Sequence, residues 1–195
     1  LTSGGDCQGL NAALRGVAKT LYNELGDKVT IYGIRDGYRG LIEGDYHEML
    51  PEDFSDILTV GGTILGTSRQ PFKEMRKTIE DSEETKLDKM LHTVKKADFD
   101  CLVILGGNGT HKTANLLSQE GLNVIGLPKT IDNDVGDSEF KLIDHTPGYG
   151  SVARFWMGEV QNANEENMGS SPADPVLVLQ AMGRKIGYIP AAARL

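Results

Sequence analysis

The chain has 195 residues, a formal net charge of −8 at pH 7, 39% hydrophobic residues, 24 glycines and two cysteines, Cys7 and Cys101. The acidic balance excludes a broad nucleic-acid surface, which needs basic side chains to displace counterions, but leaves room for phosphate held by backbone amides and a few local cations. Two cysteines build no disulfide framework, no segment has the apolar length of a membrane helix, and no signal peptide is visible.

Leu1-Thr2-Ser3 reads as the tail of a strand and residues 191–195 as an unfinished helix, so a piece of a longer protein is expected. Thr2-Ser3-Gly4-Gly5-Asp6-Cys7-Gln8-Gly9-Leu10-Asn11 closes that strand, turns on glycines and opens a helix with Leu10, Ala13, Leu14, Val17, Ala18 and Leu21 at helical spacing. Gly4 and Gly5 let backbone N–H groups approach a ligand with no Cβ in the way, and a helix N-terminus favours phosphate. The Gly-Lys-Ser/Thr of a Walker A loop is missing, and so is a full G-x-G-x-x-G; taken alone, the turn is equally a plain strand-to-helix connection.

Val29-Thr30-Ile31-Tyr32-Gly33-Ile34 reads as a second strand of the sheet. A loop over Asp36-Gly37-Tyr38-Arg39-Gly40-Leu41 follows, in which Tyr38 either stacks on a base or covers the strand end. Residues 59–69 form a Gly/Ser/Thr loop closed by Arg69, which is either a phosphate clamp or a solvated arginine. Residues 73–97 are charge-dense, and Met90, Leu91 and Val94 predict an amphipathic helix over 86–96.

Phe99-Asp100-Cys101-Leu102-Val103-Ile104-Leu105 is a predicted buried strand. It runs into Gly106-Gly107-Asn108-Gly109-Thr110-His111 and a helix with Ala114, Leu116 and Leu117, repeating the first turn. Two such turns in one parallel sheet can share a crevice and bind a polyphosphate. Leu122-Asn123-Val124-Ile125-Gly126-Leu127 is another strand, ending in Pro128-Lys129-Thr130-Ile131-Asp132-Asn133-Asp134.

Ligands of open parallel sheets sit outside the carboxyl ends of the strands, so Asp132 and Asp134 are expected to face a pocket. Carboxylates this close need a cation or a raised pKa, and Lys129 is the candidate cation. One of them can take a proton from a substrate hydroxyl; the alternative is a polar turn with a helix N-cap. Further on, residues 152–160 predict an amphipathic helix, 161–174 a polar loop, and Pro175-Val176-Leu177-Val178-Leu179-Gln180 a strand delivering Met182-Gly183-Arg184. The β-then-α alternation predicts an α/β fold with a doubly wound, mostly parallel, Rossmann-like three-layer sheet.

Gly4-Gly5-Asp6 with Gly9 and Asn11, Gly106-Gly107-Asn108-Gly109-Thr110, the Pro128 to Asp134 string and Met182-Gly183-Arg184 together resemble phosphofructokinases over nearly the whole chain. With Lys129 present, the chain is similar to the group that mixes ATP- and pyrophosphate-dependent members. The resemblance implies transfer of the ATP terminal phosphoryl group to the 1-hydroxyl of fructose 6-phosphate, with Mg2+. Asp132 would be the base, Thr130 and Asp134 would contact the sugar or order the attack, and Met182, Gly183 and Arg184 would hold fructose 6-phosphate. Gly5, Tyr38, Arg69, Gly107, Asn108, Gly109 and Thr110 would hold the nucleotide, with Arg69 near the transferred group and Asn108 serving the metal. Residues 1–136 would form the donor domain and 137–195 the incomplete start of a smaller sugar-phosphate domain. A cytoplasmic homo-oligomer, dimer or tetramer, is implied, with no nucleic-acid or membrane partner.

Three positions depart from the family pattern. Asn108 stands where Asp commonly serves magnesium, so the ion would lean on phosphate oxygens. Gly109 is what ATP users carry, pyrophosphate users commonly having Asp there, while Lys129 occurs with both donors. Pro175 stands where an Arg often reaches a neighbouring subunit's site, so that contact is lost or moved. The alternatives are a pyrophosphate-dependent enzyme and a non-catalytic nucleotide-sensing relative. The 195 residues alone are expected to be inactive.

Overall fold

A computed structural model of the chain describes residues 1–80, 82–135, 143–170, 172–173 and 175–194. The expected domain boundary at 136/137, Asp174 at the end of the expected polar loop, and Leu195 lie outside the described residues. The chain packs as two compact units, Leu1–Lys129 and Thr130–Leu195.

The first unit holds a three-stranded parallel sheet of β1 (Thr2–Ser3), β4 (Leu102–Gly106) and β5 (Val124–Pro128), in the order β1-β4-β5. Thr2 lies opposite Leu105 and Ser3 opposite Gly106, so the two glycine turns leave neighbouring strands at the same end. Helices α1 (Leu10–Leu25), α3 (Lys86–Ala97) and α4 (Asn108–Gln119) accompany the sheet, which is the α/β class the alternation predicts. The core gathers Tyr38, Leu41, Met90, Ile104, Leu117 and Met75, all at most 1% exposed. Each fully buried apolar side chain of this size contributes roughly 1.5–3 kcal/mol, so the frame around the turns is stiff.

The strand over 29–34 is where the sequence reading needs correction. β2 (Ile31–Ile34) does not join the parallel sheet; it pairs antiparallel with β3 (Tyr46–Met49), Ile31 opposite Met49 and Ile34 opposite Tyr46. The expected loop between them is instead the short helix α2 (Tyr38–Glu43). Gly40 closes this reversal: a Cβ there would lie 2.0 Å from the Arg35 carbonyl oxygen, and Asp45 N–H donates to the Gly40 carbonyl at 2.8 Å. A parallel crossover needs a longer connection than this.

In the second unit, α5 (Tyr149–Ser170) is one long helix. The polar stretch from 161 that reads as loop is therefore helical to Ser170, with Gln161 donating to Glu165 one turn on, at 3.1 Å. Its residues are not buried, so polarity marks a solvated face. α6 (Tyr188–Ala191) packs against α5 through the Tyr149–Tyr188 ring contact, with Ile189 and Ala192 buried. The strand expected over 175–180 does not form. Val176 and Val178 are 77% and 84% exposed, and none of the described strands pairs with the segment. A strand needs a ladder partner, which an apolar run cannot supply by itself.

Candidate functional site

The first unit contributes the two glycine turns. β1 ends at Ser3 and α1 begins at Leu10; β4 ends at Gly106 and α4 begins at Asn108. Neither helix carries a side-chain cap at Gly9 or Gly107, and neither has an acidic residue in its first turn. By contrast, α3 is closed by a capping box in which Thr85 accepts from Asp88 N–H at 3.1 Å and Asp88 accepts from Thr85 N–H at 2.8 Å. The first-turn amides of α1 and α4 thus have no capping side chain; in α1 the Asn11 N–H is taken by Gly62 O at 3.2 Å, and helix N–H groups left without a partner bind anions.

Thr110 locks the turns together. Buried at 6% exposure, it donates its hydroxyl to the Ser3 carbonyl at 3.0 Å. A Cβ on Gly4 would lie 3.2 Å from that hydroxyl, and one on Gly106 would lie 2.4–2.5 Å from three atoms of the Thr110 side chain. Thr110 is therefore a keystone between the turns. Tyr38 sits behind it, 1% exposed, donating its hydroxyl to the Thr110 carbonyl at 2.8 Å. Burial raises the Tyr38 pKa. Of the two alternatives for Tyr38, burial fits the covering one and not base stacking, and it corrects the implied nucleotide contact, because the ring lies in the core and supports the second turn from within.

Two cations meet at the first turn. A Cβ on Gly5 would lie 3.6 Å from the Arg69 guanidinium and 3.8 Å from the Lys129 ammonium. Lys129, 7% exposed, donates to the Gly5 carbonyl. It is thus a cation of the first glycine turn, where the sequence reading set it against the Asp pair. Burial raises the Cys7 thiol pKa, and the Lys129 charge pulls it partly back. Arg69 is exposed and arrives on the 59–69 loop, which Gly4 N–H ties down by donating to Ser68 O at 3.0 Å. Asn108 and Gly109 are exposed at the start of α4, and a Cβ on Gly109 meets no atom within 4 Å.

The second unit contributes Asp132, 6% exposed. Its Oδ2 accepts the Thr130 hydroxyl at 2.8 Å and its Oδ1 accepts the Arg184 backbone N–H at 3.0 Å. Asp132 N–H returns to Thr130 Oγ1 at 3.1 Å. The turn is held by Asn133, at φ 55°, whose side chain accepts Thr146 N–H at 2.8 Å and donates to the Asp144 carbonyl at 3.0 Å. The Thr146 hydroxyl donates to the Thr130 carbonyl at 2.6 Å.

Of the residues singled out from sequence, Thr130, Asp132, Gly183 and the Arg184 backbone come together here, since a Cβ on Gly183 would sit 3.5 Å from Asp132 Oδ1. Asp134 is exposed, which corrects the expectation that both carboxylates face a pocket, and Met182 is 81% exposed. Asn133 and Thr146 had no assigned role in the sequence reading. The Asn between two Asp residues was the available signal, because Asn tolerates positive φ. A 370 Å3 cavity lies elsewhere, lined by Glu43, Glu84, Lys89, His92 and Lys96 among others. It touches none of these residues.

Among the described residues, no three His, Cys, Asp or Glu gather as a metal cluster, and no helix is long and apolar enough to cross a membrane.

A family model for phosphofructokinase matches residues 1–195. An ATP-dependent 6-phosphofructokinase from Spirochaeta thermophila is 48% identical over 97% of this chain and 50% of its own length. The ATP-dependent 6-phosphofructokinase 3 of Bacteroides thetaiotaomicron is 36% identical over 97% of this chain and 53% of its own. Among solved structures, phosphofructokinase from Saccharomyces cerevisiae superposes with a TM-score of 0.80 at 27% identity, over 98% of this chain and 26% of that one. A pyrophosphate-dependent phosphofructokinase from Nitrosospira multiformis superposes at 0.78 with 25% identity, over 98% and 47%. The chain spans about half the length of the curated relatives it matches.

Proposed function

The chain belongs to the phosphofructokinase family, and from that premise we propose that the full-length protein transfers the terminal phosphoryl group of ATP to the 1-hydroxyl of fructose 6-phosphate. The observation that supports this reading is the pair of helix N-termini without side-chain caps that follow adjacent parallel strands, with Arg69 and Lys129 brought to Gly5. Such a corner offers oriented amides and two nearby cations to a polyphosphate, and phosphoryl transfer asks chiefly for positioning and charge stabilisation.

In this reading Asp132 is the base. Its carboxylate is held by one donor on each oxygen, and each oxygen keeps a free lone-pair site. The sugar 1-hydroxyl gives its proton to Asp132 while its oxygen bonds to the terminal phosphorus, and the bond from that phosphorus to the bridging oxygen of ADP breaks. Arg69 stabilises charge on the transferred group. Gly107, Asn108, Gly109 and Thr110 form the second phosphate corner, Thr130 orients Asp132, and Met182, Gly183 and Arg184, with Asp134, belong to the sugar-phosphate side.

Magnesium neutralises phosphate charge when bound. The residues present fit an ion held mainly by phosphate oxygens, with the exposed Asn108 amide as its protein ligand. We assign the donor to residues 1–136 and the sugar phosphate to a part opening at 137, in a cytoplasmic homo-oligomer, dimer or tetramer.

The open space at Gly109 favours ATP as donor, because the inner phosphate of a nucleotide needs room that an Asp would occupy. The test is turnover of the full-length protein on fructose 6-phosphate with ATP and with pyrophosphate side by side. Turnover with ATP is expected. Pyrophosphate-only turnover refutes the donor assignment, and ATP binding without turnover on either donor refutes the enzyme in favour of a nucleotide sensor.

A further inference from the structure

The loop that ends in Arg69 is irregular, and residues 58–61 and Ile64 are exposed. Hydrogen bonds hold it at both ends. Toward Arg69, Thr2 Oγ1 donates to the Gly66 carbonyl at 2.8 Å, Ser3 Oγ donates to Ser68 O at 3.2 Å, and Thr67 Oγ1 donates to the Gly4 carbonyl at 2.7 Å. Toward residue 60, Thr63 Oγ1 is hydrogen-bonded to Thr2 Oγ1 at 2.8 Å, and one residue on the first turn of α1 adds three more hydrogen bonds. Asn11, 1% exposed, donates its side-chain amide to Val60 O at 3.1 Å and its backbone N–H to Gly62 O at 3.2 Å, and its Oδ1 accepts Ile64 N–H at 2.7 Å. Its side chain satisfies Val60 O and Ile64 N–H at once, which takes an amide, with its separate NH2 donor and carbonyl acceptor.

We propose that Asn11 is a positioning residue for the phosphoryl transfer: it clamps the 60–64 end of this loop and thereby holds the Arg69 guanidinium against the Gly4-Gly5 turn. The proposal rests on the function proposed above. The Arg69 side chain is exposed; the backbone just before it is tied to Ser3 and Gly4 through Thr67 and Ser68, and the stretch before that is tied through Asn11, so its aim at the donor depends on both anchorages. Asn11 also sits in the first turn of α1, so the Arg69→Ala background is what separates its part in the loop from its part in that turn.

The test is a double-mutant cycle in the full-length protein: wild type, Asn11→Asp, Arg69→Ala and the double variant. Each is measured for kcat, for KM on ATP and on fructose 6-phosphate, for ATP and ADP affinity by calorimetry, and for Tm. Asn11→Asp keeps the acceptor for Ile64 N–H but sets a carboxylate oxygen against the Val60 carbonyl. The expected result is a loss of kcat/KM for ATP of about tenfold or more with Arg69 present and less than about twofold without it, a coupling of the size seen between interacting residues. The Tm change is the same in both backgrounds. Equal fold losses in both backgrounds overturn the proposal.

If Asn11→Asp does not fold, Asn11→Ser is read by the same criterion, and failure of both to fold makes Asn11 a folding residue and overturns the proposal. A wild-type protein that binds nucleotide without turnover refutes the function while the cycle is still read in ATP affinity, since ATP carries the group that Arg69 faces. One that does neither removes both claims together.

Discussion

Asp132→Asn separates the chemistry at this carboxylate from its structural part. Asn keeps one oxygen, which can accept the Arg184 N–H that Asp132 Oδ1 accepts at 3.0 Å. Its NH2 then faces Thr130, whose hydroxyl now at 2.8 Å from Oδ2 can rotate to accept. Both contacts survive, so the cost to folding is at most about 1 kcal/mol, the net worth of one hydrogen bond. Asp132→Ala is different, because it removes the acceptor of both the half-buried Thr130 hydroxyl and the Arg184 N–H of an exposed residue, at a cost of up to about 1–3 kcal/mol in total, water replacing part of what is lost. The lost base costs far more in rate: general-base catalysis supplies roughly 10²–10⁴-fold, or about 3–5 kcal/mol of barrier at 1.36 kcal/mol per decade. In the full-length protein, a coupled assay for fructose 1,6-bisphosphate is expected to show kcat down by that factor, with ADP affinity and urea midpoint near wild type. Turnover within a few-fold of wild type refutes Asp132 as the base, and a collapsed urea midpoint refutes the hydrogen-bond reasoning.

Gly109→Asp places a carboxylate in open space in the first turn of α4, where the helix dipole stabilises it by roughly 0.3–1 kcal/mol. Tm should hold or rise while ATP turnover falls, and undiminished ATP turnover would show that Gly109 does not govern donor choice. Gly106→Ala forces a Cβ to within 2.4–2.5 Å of Thr110 and is expected to cost about 1–3 kcal/mol, as overpacking does; an unchanged denaturation midpoint would contradict the keystone role of Thr110. Thr85→Ala removes the α3 cap at a cost of about 0.5–2 kcal/mol. The Thr85 side-chain hydrogen bond, followed by its backbone one, lowers the Asp88 pKa from 3.8. That contribution is present above about pH 4 and fades as the pH falls through the lowered value. Urea midpoints at pH 6 and pH 3 should differ more in wild type than in Thr85→Ala, and parallel acid losses would count against the cap.

Local order carried much of this protein into plain view. The glycine turns, the helices from Leu10, Lys86 and Asn108, and the Thr130 to Asp132 turn are legible because each depends on neighbours a few residues away: helical spacing of apolar side chains, glycines at a strand's end, a short polar string after an apolar run. What stayed hidden depends on partners distant in the chain. No pattern within 29–34 says that β2 pairs with Tyr46–Met49 and leaves the parallel sheet, since strand pairing is a choice between ladders. The apolar run at 175–180 reads as a strand, yet none of the described strands pairs with it.

The site divides along the same line. Residue types alone nominated Asp132, Arg69 and the glycines. Only the fold put Tyr38 in the core beneath Thr110, turned Lys129 to the Gly5 carbonyl, left Asp134 exposed while burying Asp132, and made Asn11 the clamp of the loop that carries Arg69. Sequence specifies which groups are available, whereas burial and hydrogen-bond partnership, which decide what each group does, come from contacts between residues tens of positions apart.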